Sequence, residues 1–308
     1  MKLEEEMKRS LVLLLLLAAM GLLGLPLACI GSLPAIPASA VPAKTPTPCG
    51  SCATPQYTQV KQFGSSLSEP AGIMFLDNMI FVANYDGNNI QKYSADGIFL
   101  EQKGNTTANP DALDGPWGLG SGEGSNIYEA DYYGGRIQKF SGDGQLLTSF
   151  PFSYAEGVVV NDKLGRIYAL NYDNDTVYVY DMNFNYVAQF GSIFLSGPYN
   201  ISIDSKGNIY VADYDNGDII WFDPTNYNYV NNFYTDGGCP TDVKVDANGY
   251  IYETDECGSD VEKYDSNGNF IASIGSFNEP EGLTLDPSGN IYVADYGANQ
   301  IDKFAPIN

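Results

Sequence analysis

NIYVADY occupies residues 208–214 and recurs, letter for letter, at residues 290–296, with weaker copies in NIYEADY at 126–132 and RIYALNY at 166–172. Aligned on this heptapeptide the chain divides into six units. Their matching polar residues are Asn84, Asp131, Asn171, Asp213, Asp255 and Asp295, at intervals of 40 to 47 residues. A Pro-x-Gly position opens each unit: PAG from Pro70, PWG from Pro116, AEG from Ala155, PYN from Pro198, PTD from Pro240 and PEG from Pro280. A short segment ending in an aromatic residue follows, as IQKY, IQKF, VYVY, IIWF, VEKY and IDKF. A period near 42 residues made of short apolar pieces and turns is the signature of a four-stranded propeller blade. IYVA is apolar throughout, as a strand buried on both faces must be. SADG, SGDG and DSNG supply the residues that hairpin turns require. The pattern predicts an all-β, six-bladed β-propeller over residues 57–308.

These units resemble the NHL repeat, whose pattern runs P-x-G-[IL], N-I-Y-V-A-D and R-I-Q-K-F. GGRIQKF at residues 134–140 is a close match, and six registered copies carry the resemblance across nearly all of the chain from residue 57. Five units continue into a fourth strand, such as NYVAQF or NFIASI, whereas the sixth stops at IDKFAPIN. YTQVKQFG at residues 57–64 reads as an outer strand with no blade of its own. Pairing it with the sixth unit would close the ring and remove its open edges.

The 308 residues include 15 Lys plus Arg against 38 Asp plus Glu, a formal charge of -23, and no histidine. Ser-His-Asp and Cys-His catalysis and histidine-held zinc or haem are thereby excluded. The acidic excess repels phosphate backbones, so nucleic acid is an unsuitable partner. Residues 1–28 read as an export signal or membrane anchor, with Lys8 and Arg9 ahead of an apolar run. LPLAC resembles a bacterial lipobox, which implies lipidation of Cys29. Cleavage after ASA at 38–40 and retention of the run as a membrane helix are the rival readings, and all three export the domain. Residues 29–56 are rich in Pro, Ala, Ser and Thr and read as a stalk. In polyproline II form, at about 3.1 Å per residue, it would reach roughly 80 Å. Two cysteine pairs remain. Cys239 and Cys257 fall on one face of the fifth unit, and Cys49 and Cys52 form a C-x-x-C within the stalk; both are expected as disulfides.

The six Asn and Asp residues of the turns are expected to cap backbone amides rather than to hold a ligand, because every unit repeats them. The tyrosines beside them suit either packing or an aromatic rim. More informative are the places where the copies disagree. The middle residue of Pro-x-Gly lies at the channel mouth and reads Ala71, Trp117, Glu156, Tyr199, Thr241 and Glu281 around the ring. Trp117, Glu156, Tyr199 and Glu281 are candidate ligand-binding residues, against the simpler reading of a solvated rim. Asn200 and Asp242 replace Gly in units four and five, so Glu156, Asn200, Asp242 and Glu281 form a candidate oxygen-ligand set for Ca²⁺. Glu129 and Glu253 stand where IYVAD has Val; a carboxylate there marks either a functional spot or local access to solvent.

Six-bladed relatives imply two functions. α-Amidating and streptogramin lyases use histidines that this chain lacks, whereas gluconolactonase-like and paraoxonase-like hydrolases hold Ca²⁺ through Glu, Asn and Asp. The favoured reading is a non-catalytic, extracytoplasmic binding propeller tethered at the cell surface. It would be a monomer that meets the membrane only through its N-terminus and takes a protein or carbohydrate partner. The alternative is a calcium-dependent lactonase or esterase using the channel-mouth carboxylates.

Overall fold

The six units fold as six four-stranded antiparallel sheets in a computed structural model that describes residues 56–104 and 112–307. The segments expected as export signal (residues 1–28) and stalk (up to residue 55), with Cys29 and the Cys49 and Cys52 pair, lie outside the described residues. Among the described residues the one helical element is the 3₁₀ turn Glu123–Ser125, and no helix is long and apolar enough to cross a membrane. The chain is a six-bladed β-propeller.

The inner strands are Pro70–Leu76, Pro116–Gly122, Ala155–Asn161, Pro198–Ile203, Pro240–Val245 and Pro280–Leu285. The second strands end at the Asn or Asp repeated in every unit, as in Ile209–Asp213, Ile251–Asp255 and Ile291–Asp295. NIYVADY is apolar on both sides because its blade has two neighbours. Ile209 and Val211 pack with Leu170, Val177 and Val179 of blade three. Tyr210 and Ala212 face the opposite way, onto Val243, Ile251 and Tyr264 of blade five. Fully burying one such aliphatic side chain contributes about 1.5–3 kcal/mol, and each blade repeats the arrangement.

The glycine of Pro-x-Gly is required by the close approach of inner strands around the axis. A Cβ on Gly72 would lie 2.1 Å from the carbonyl oxygen of Trp117, and one on Gly118 would lie 2.4 Å from that of Glu156. Neighbouring blades are also latched at their turns. Asn88 Oδ1 accepts the Gly115 amide at 2.8 Å, Asp175 Oδ1 accepts that of Gly197 at 2.8 Å, and Asn299 Oδ1 accepts that of Glu69 at 2.7 Å. The last of these crosses from blade six to blade one.

Tyr57–Phe63 pairs antiparallel with Gln300–Pro306, from Tyr57 opposite Pro306 to Phe63 opposite Ile301. The sixth sheet therefore takes its outer strand from the other end of the domain. Cys239 and Cys257 form a disulfide with Cα atoms 5.4 Å apart, fastening the entry of blade five's inner strand to the turn after its second strand.

Candidate functional site

Strand polarity places the Pro-x-Gly starts and the turns after the second strands on one face, and the turn residues hold that face together. Asn84, Asp131, Asp213 and Asp295 accept the amides of Ser68, Asp114, Ser196 and Asn278 at 2.6–2.9 Å, each two residues before the Pro that starts the same blade's inner strand. Asn171 donates to the Ser153 carbonyl and accepts the Asn174 amide, and Asp255 accepts the Gly258 amide at 2.8 Å.

At the axis the middle residues of Pro-x-Gly converge. Trp117 of blade two reaches Tyr199 of blade four with ring centroids 6.0 Å apart, and Tyr296 of blade six at 6.4 Å. Tyr85 packs edge-on to Trp117 at 5.0 Å and lies 6.3 Å from Tyr296. On the other side Tyr199 stacks on Tyr214 at 4.6 Å and meets Tyr172 at 5.9 Å. A continuous aromatic sheet thus crosses the channel mouth, half-buried along its length and continued outward by Tyr132 and the exposed Tyr133 and Tyr154. The tyrosines both pack and form a rim.

Carboxylates lie among these rings. Glu156 is 5% exposed and Glu281 8%, so they are buried channel residues rather than a solvated rim, as are Ala71 and Thr241. Inward-facing positions on inner strands leave little room for water, which is why the simpler expectation fails here. Burial pushes both carboxyls well above the ordinary glutamate range, and Glu281 is raised further by Glu256 and Glu156. Glu156 Oε2 has no hydrogen-bond partner. Burial followed by Glu281 and Glu156 likewise raises the Tyr199 hydroxyl. Two rim hydroxyls donate to carboxylates across blade boundaries, Tyr214 to Glu256 and Tyr296 to Glu69, the latter at 2.8 Å.

Asp242 and Asn200 are differently employed. Asp242 forms an ion pair with Lys244 and accepts the amides of Val243 and Leu283, tying blade five to blade six. Asn200 Oδ1 accepts its neighbour Ile201's amide at 2.8 Å. Both Asp242 oxygens are thus engaged, by Lys244 and two backbone amides, whereas Asn200 Oδ1 accepts one amide.

Glu129 and Glu253 are fully buried, and neither carboxylate receives a hydrogen bond from a protein donor. Local solvent access does not explain them. Burial, assisted by Asp131 and opposed by Arg136, raises the Glu129 carboxyl; burial, with Glu262, Asp255 and Asp260, raises that of Glu253. Glu253, Asp255 and Glu262 place one oxygen each within 4.8 Å of one another, the one such acidic trio among the described residues. Glu262 and Asp260 were not singled out in the sequence. The signal was there: VEKY carries Glu where the second unit's IQKF carries Gln138, and Asp260 stands in the register of Arg136.

The NHL repeat family model matches residues 277–304, which is blade six, the copy that keeps P-E-G, NIYVAD and IDKF intact. This propeller carries an NHL repeat. No curated protein sequence matches the chain. Among solved structures it is similar to virginiamycin B lyase from Staphylococcus aureus, at 16% identity and TM-score 0.64 over 82% of this chain and 100% of that one. The WD40 β-propeller domain of Doa1 is similar at 11% identity and TM-score 0.61, over 81% and 97% of the two chains. A catalytically inactive histidine-to-alanine variant of the S. aureus lyase with quinupristin is similar at 17% identity and TM-score 0.61, over 79% and 82%. At such identities the likeness is one of fold.

Proposed function

We propose that the propeller is a non-catalytic recognition domain whose channel-mouth face binds a basic segment of a partner protein. The observation that carries this reading is the aromatic sheet from Tyr296 through Tyr85 and Trp117 to Tyr199 and Tyr214, with Glu156 and Glu281 beside it. Aromatic faces attract ammonium and guanidinium groups, and a cation bound beside Glu156 and Glu281 would favour the ionised form that burial opposes. A formal charge of -23 steers such a partner toward the domain. The lyase whose fold it shares loses activity with a histidine, and this chain has none to offer.

The domain is read as exported and held at the cell surface either by a lipidated Cys29 after removal of residues 1–28 or by those residues as an uncleaved helix, with residues 29–56 as its stalk. The Cys239–Cys257 disulfide supports an oxidising compartment.

Trp117 is a built-in reporter, since the chain has only one other tryptophan, Trp221. In a Trp221→Phe background, an arginine-rich peptide is expected to shift Trp117 emission saturably, while a neutral oligosaccharide of similar length does not. Trp117→Ala, followed by calorimetry because it removes the reporter, should weaken peptide binding by about 1.4–2.8 kcal/mol, roughly 10- to 100-fold. Emission unmoved by the peptide would refute the reading. One observation favours a second reading: Glu156 Oε2 is buried and unpartnered, and Glu156 is near enough to raise the Glu281 carboxyl, a pair that would hold Ca²⁺ for lactone or ester hydrolysis. Calcium-dependent turnover abolished by Glu281→Gln would establish it.

A further inference from the structure

We propose that blade five contains a second, structural site, for a divalent cation of calcium's size, built from Glu253, Asp255 and Glu262 with Asp260 at its outer side. The trio alone would be an acidic cluster. Two further observations point to a ligand.

The first is Glu253 itself, 0% exposed, with no amide or hydroxyl donor on either oxygen and one oxygen within 4.8 Å of an oxygen of Asp255 and of Glu262, the Glu262 carboxyl lying close enough to share a proton with it. Buried carboxylates in contact need a proton or a cation between them. Blades one, four and six carry Val82, Val211 and Val293 at this register and blade three carries Ala169, so the fold does not call for a carboxylate there.

The second is a comparison within the molecule. Blade two has the same arrangement, with Glu129 beside Asp131, Arg136 and Gln138. There Arg136 Nε donates to Asp131 Oδ2 at 2.7 Å, and a protein cation sits among the acids. Blade four fills the corresponding oxygen, Asp213 Oδ2, with the Asn216 amide at 2.8 Å. In blade five the residue in Arg136's register is Asp260, and Asp255 Oδ2 and Asp260 Oδ1 are both without partners. Where blade two places a guanidinium, blade five thus has a further carboxylate beside the trio.

The donor set selects the ion. All ligands are oxygen, which excludes preference for a soft metal. Ca²⁺ takes oxygens at 2.3–2.6 Å in flexible geometry, so three oxygens within 4.8 Å of one another lie in the reach of one such ion. Mg²⁺ keeps several waters and is usually held through one or two carboxylates, so a buried set of three suits Ca²⁺ better. Glu262 is pre-positioned by the Asp236 amide at 3.0 Å and by the Tyr264 hydroxyl, and Asp260 by Ser273. The exposed residues Asp236 and Gly237 pack against the cluster, a Cβ on Gly237 falling 2.3 Å from Asp255 Oδ2. The cation would join the 4–5 blade boundary to the turn that the disulfide already holds.

The test uses the full-length chain, with terbium as a luminescent stand-in sensitised by Tyr264 and with Ca²⁺ as competitor. Saturable terbium luminescence displaced by Ca²⁺ is expected, together with a Tm several degrees higher in Ca²⁺ than in EDTA. Glu253→Val installs the residue of blades one, four and six; it should abolish both responses and melt above the wild type in EDTA. Asp260→Arg imitates blade two and should also lose the calcium response while staying folded. Glu156→Gln and Glu281→Gln should retain it, separating this site from the channel mouth. The proposal is overturned if the wild type shows neither response, if Glu253→Val keeps them, or if they are lost with Glu281→Gln instead.

Discussion

Glu129 shows how one side chain can set a local stability and its response to pH. It replaces the valine of blades one, four and six, is fully buried, and has Asp131 and Arg136 as its charged neighbours. A carboxyl whose pKa is raised on folding binds its proton more tightly in the native state. Stability is then highest below the unfolded pKa, near 4.3, and is lost as pH rises toward the raised native value. Glu129→Val should therefore stabilise the domain, by about 1–3 kcal/mol at pH 8, and by less at pH 5. Paired urea titrations at the two pH values check this, and a variant less stable at both would contradict it. The position was legible in the sequence as a departure from IYVAD. Its surroundings were not, because Arg136 and Asp260 become comparable only through strand register, which pairs them with Asp131 and Asp255.

Single elements carry the ring's integrity unequally. The outer strand Tyr57–Phe63 is mostly solvent-facing, yet its backbone covers Gln300–Pro306, whose Ile301 and Phe304 are buried. Deleting residues 57–63 leaves that strand as an apolar open edge. The truncated chain should melt without a sharp transition and self-associate, as light scattering after size exclusion would show. The disulfide is a milder constraint. Its cysteines are 18 residues apart, and loop entropy assigns such a bridge about 3 kcal/mol. Reduction should lower Tm by roughly 6–12 °C without unfolding the domain at room temperature. Closure and disulfide were both readable from spacing, because blade repetition fixes which segments lie side by side. The burial of Glu156 and Glu281 was not, since it depends on how far aromatic rings from opposite blades reach across the axis.

The whole molecule should favour mildly acidic solution. Burial raises Asp213 to about 7 and Asp260 and Asp295 to about 6, and Glu129, Glu156 and Glu281 move in the same direction. Each raised group contributes stability that is fully present below its unfolded pKa, near 4, and lost as pH rises through the native value. The net charge of -23 adds repulsion in the same sense. Tm should thus rise as pH falls from 8 to about 5.5, the reverse of acid denaturation driven by paired carboxylates. Added salt should narrow the difference by screening its surface part. A Tm that falls over this interval would contradict the reading.

Ring closure also imposes an order in time. Gln59 meets Asp302 across 243 positions of sequence, whereas every other outer strand pairs within its own unit. A nascent chain can complete five blades as each emerges, but its earliest strand waits unpaired until residues 300–306 have been made. Closure is a late step dominated by loop entropy. Until that step the domain remains an open arc, with one unpaired edge at each end, and circularly permuting Tyr57–Phe63 to follow Pro306 would convert the slow encounter into a local hairpin.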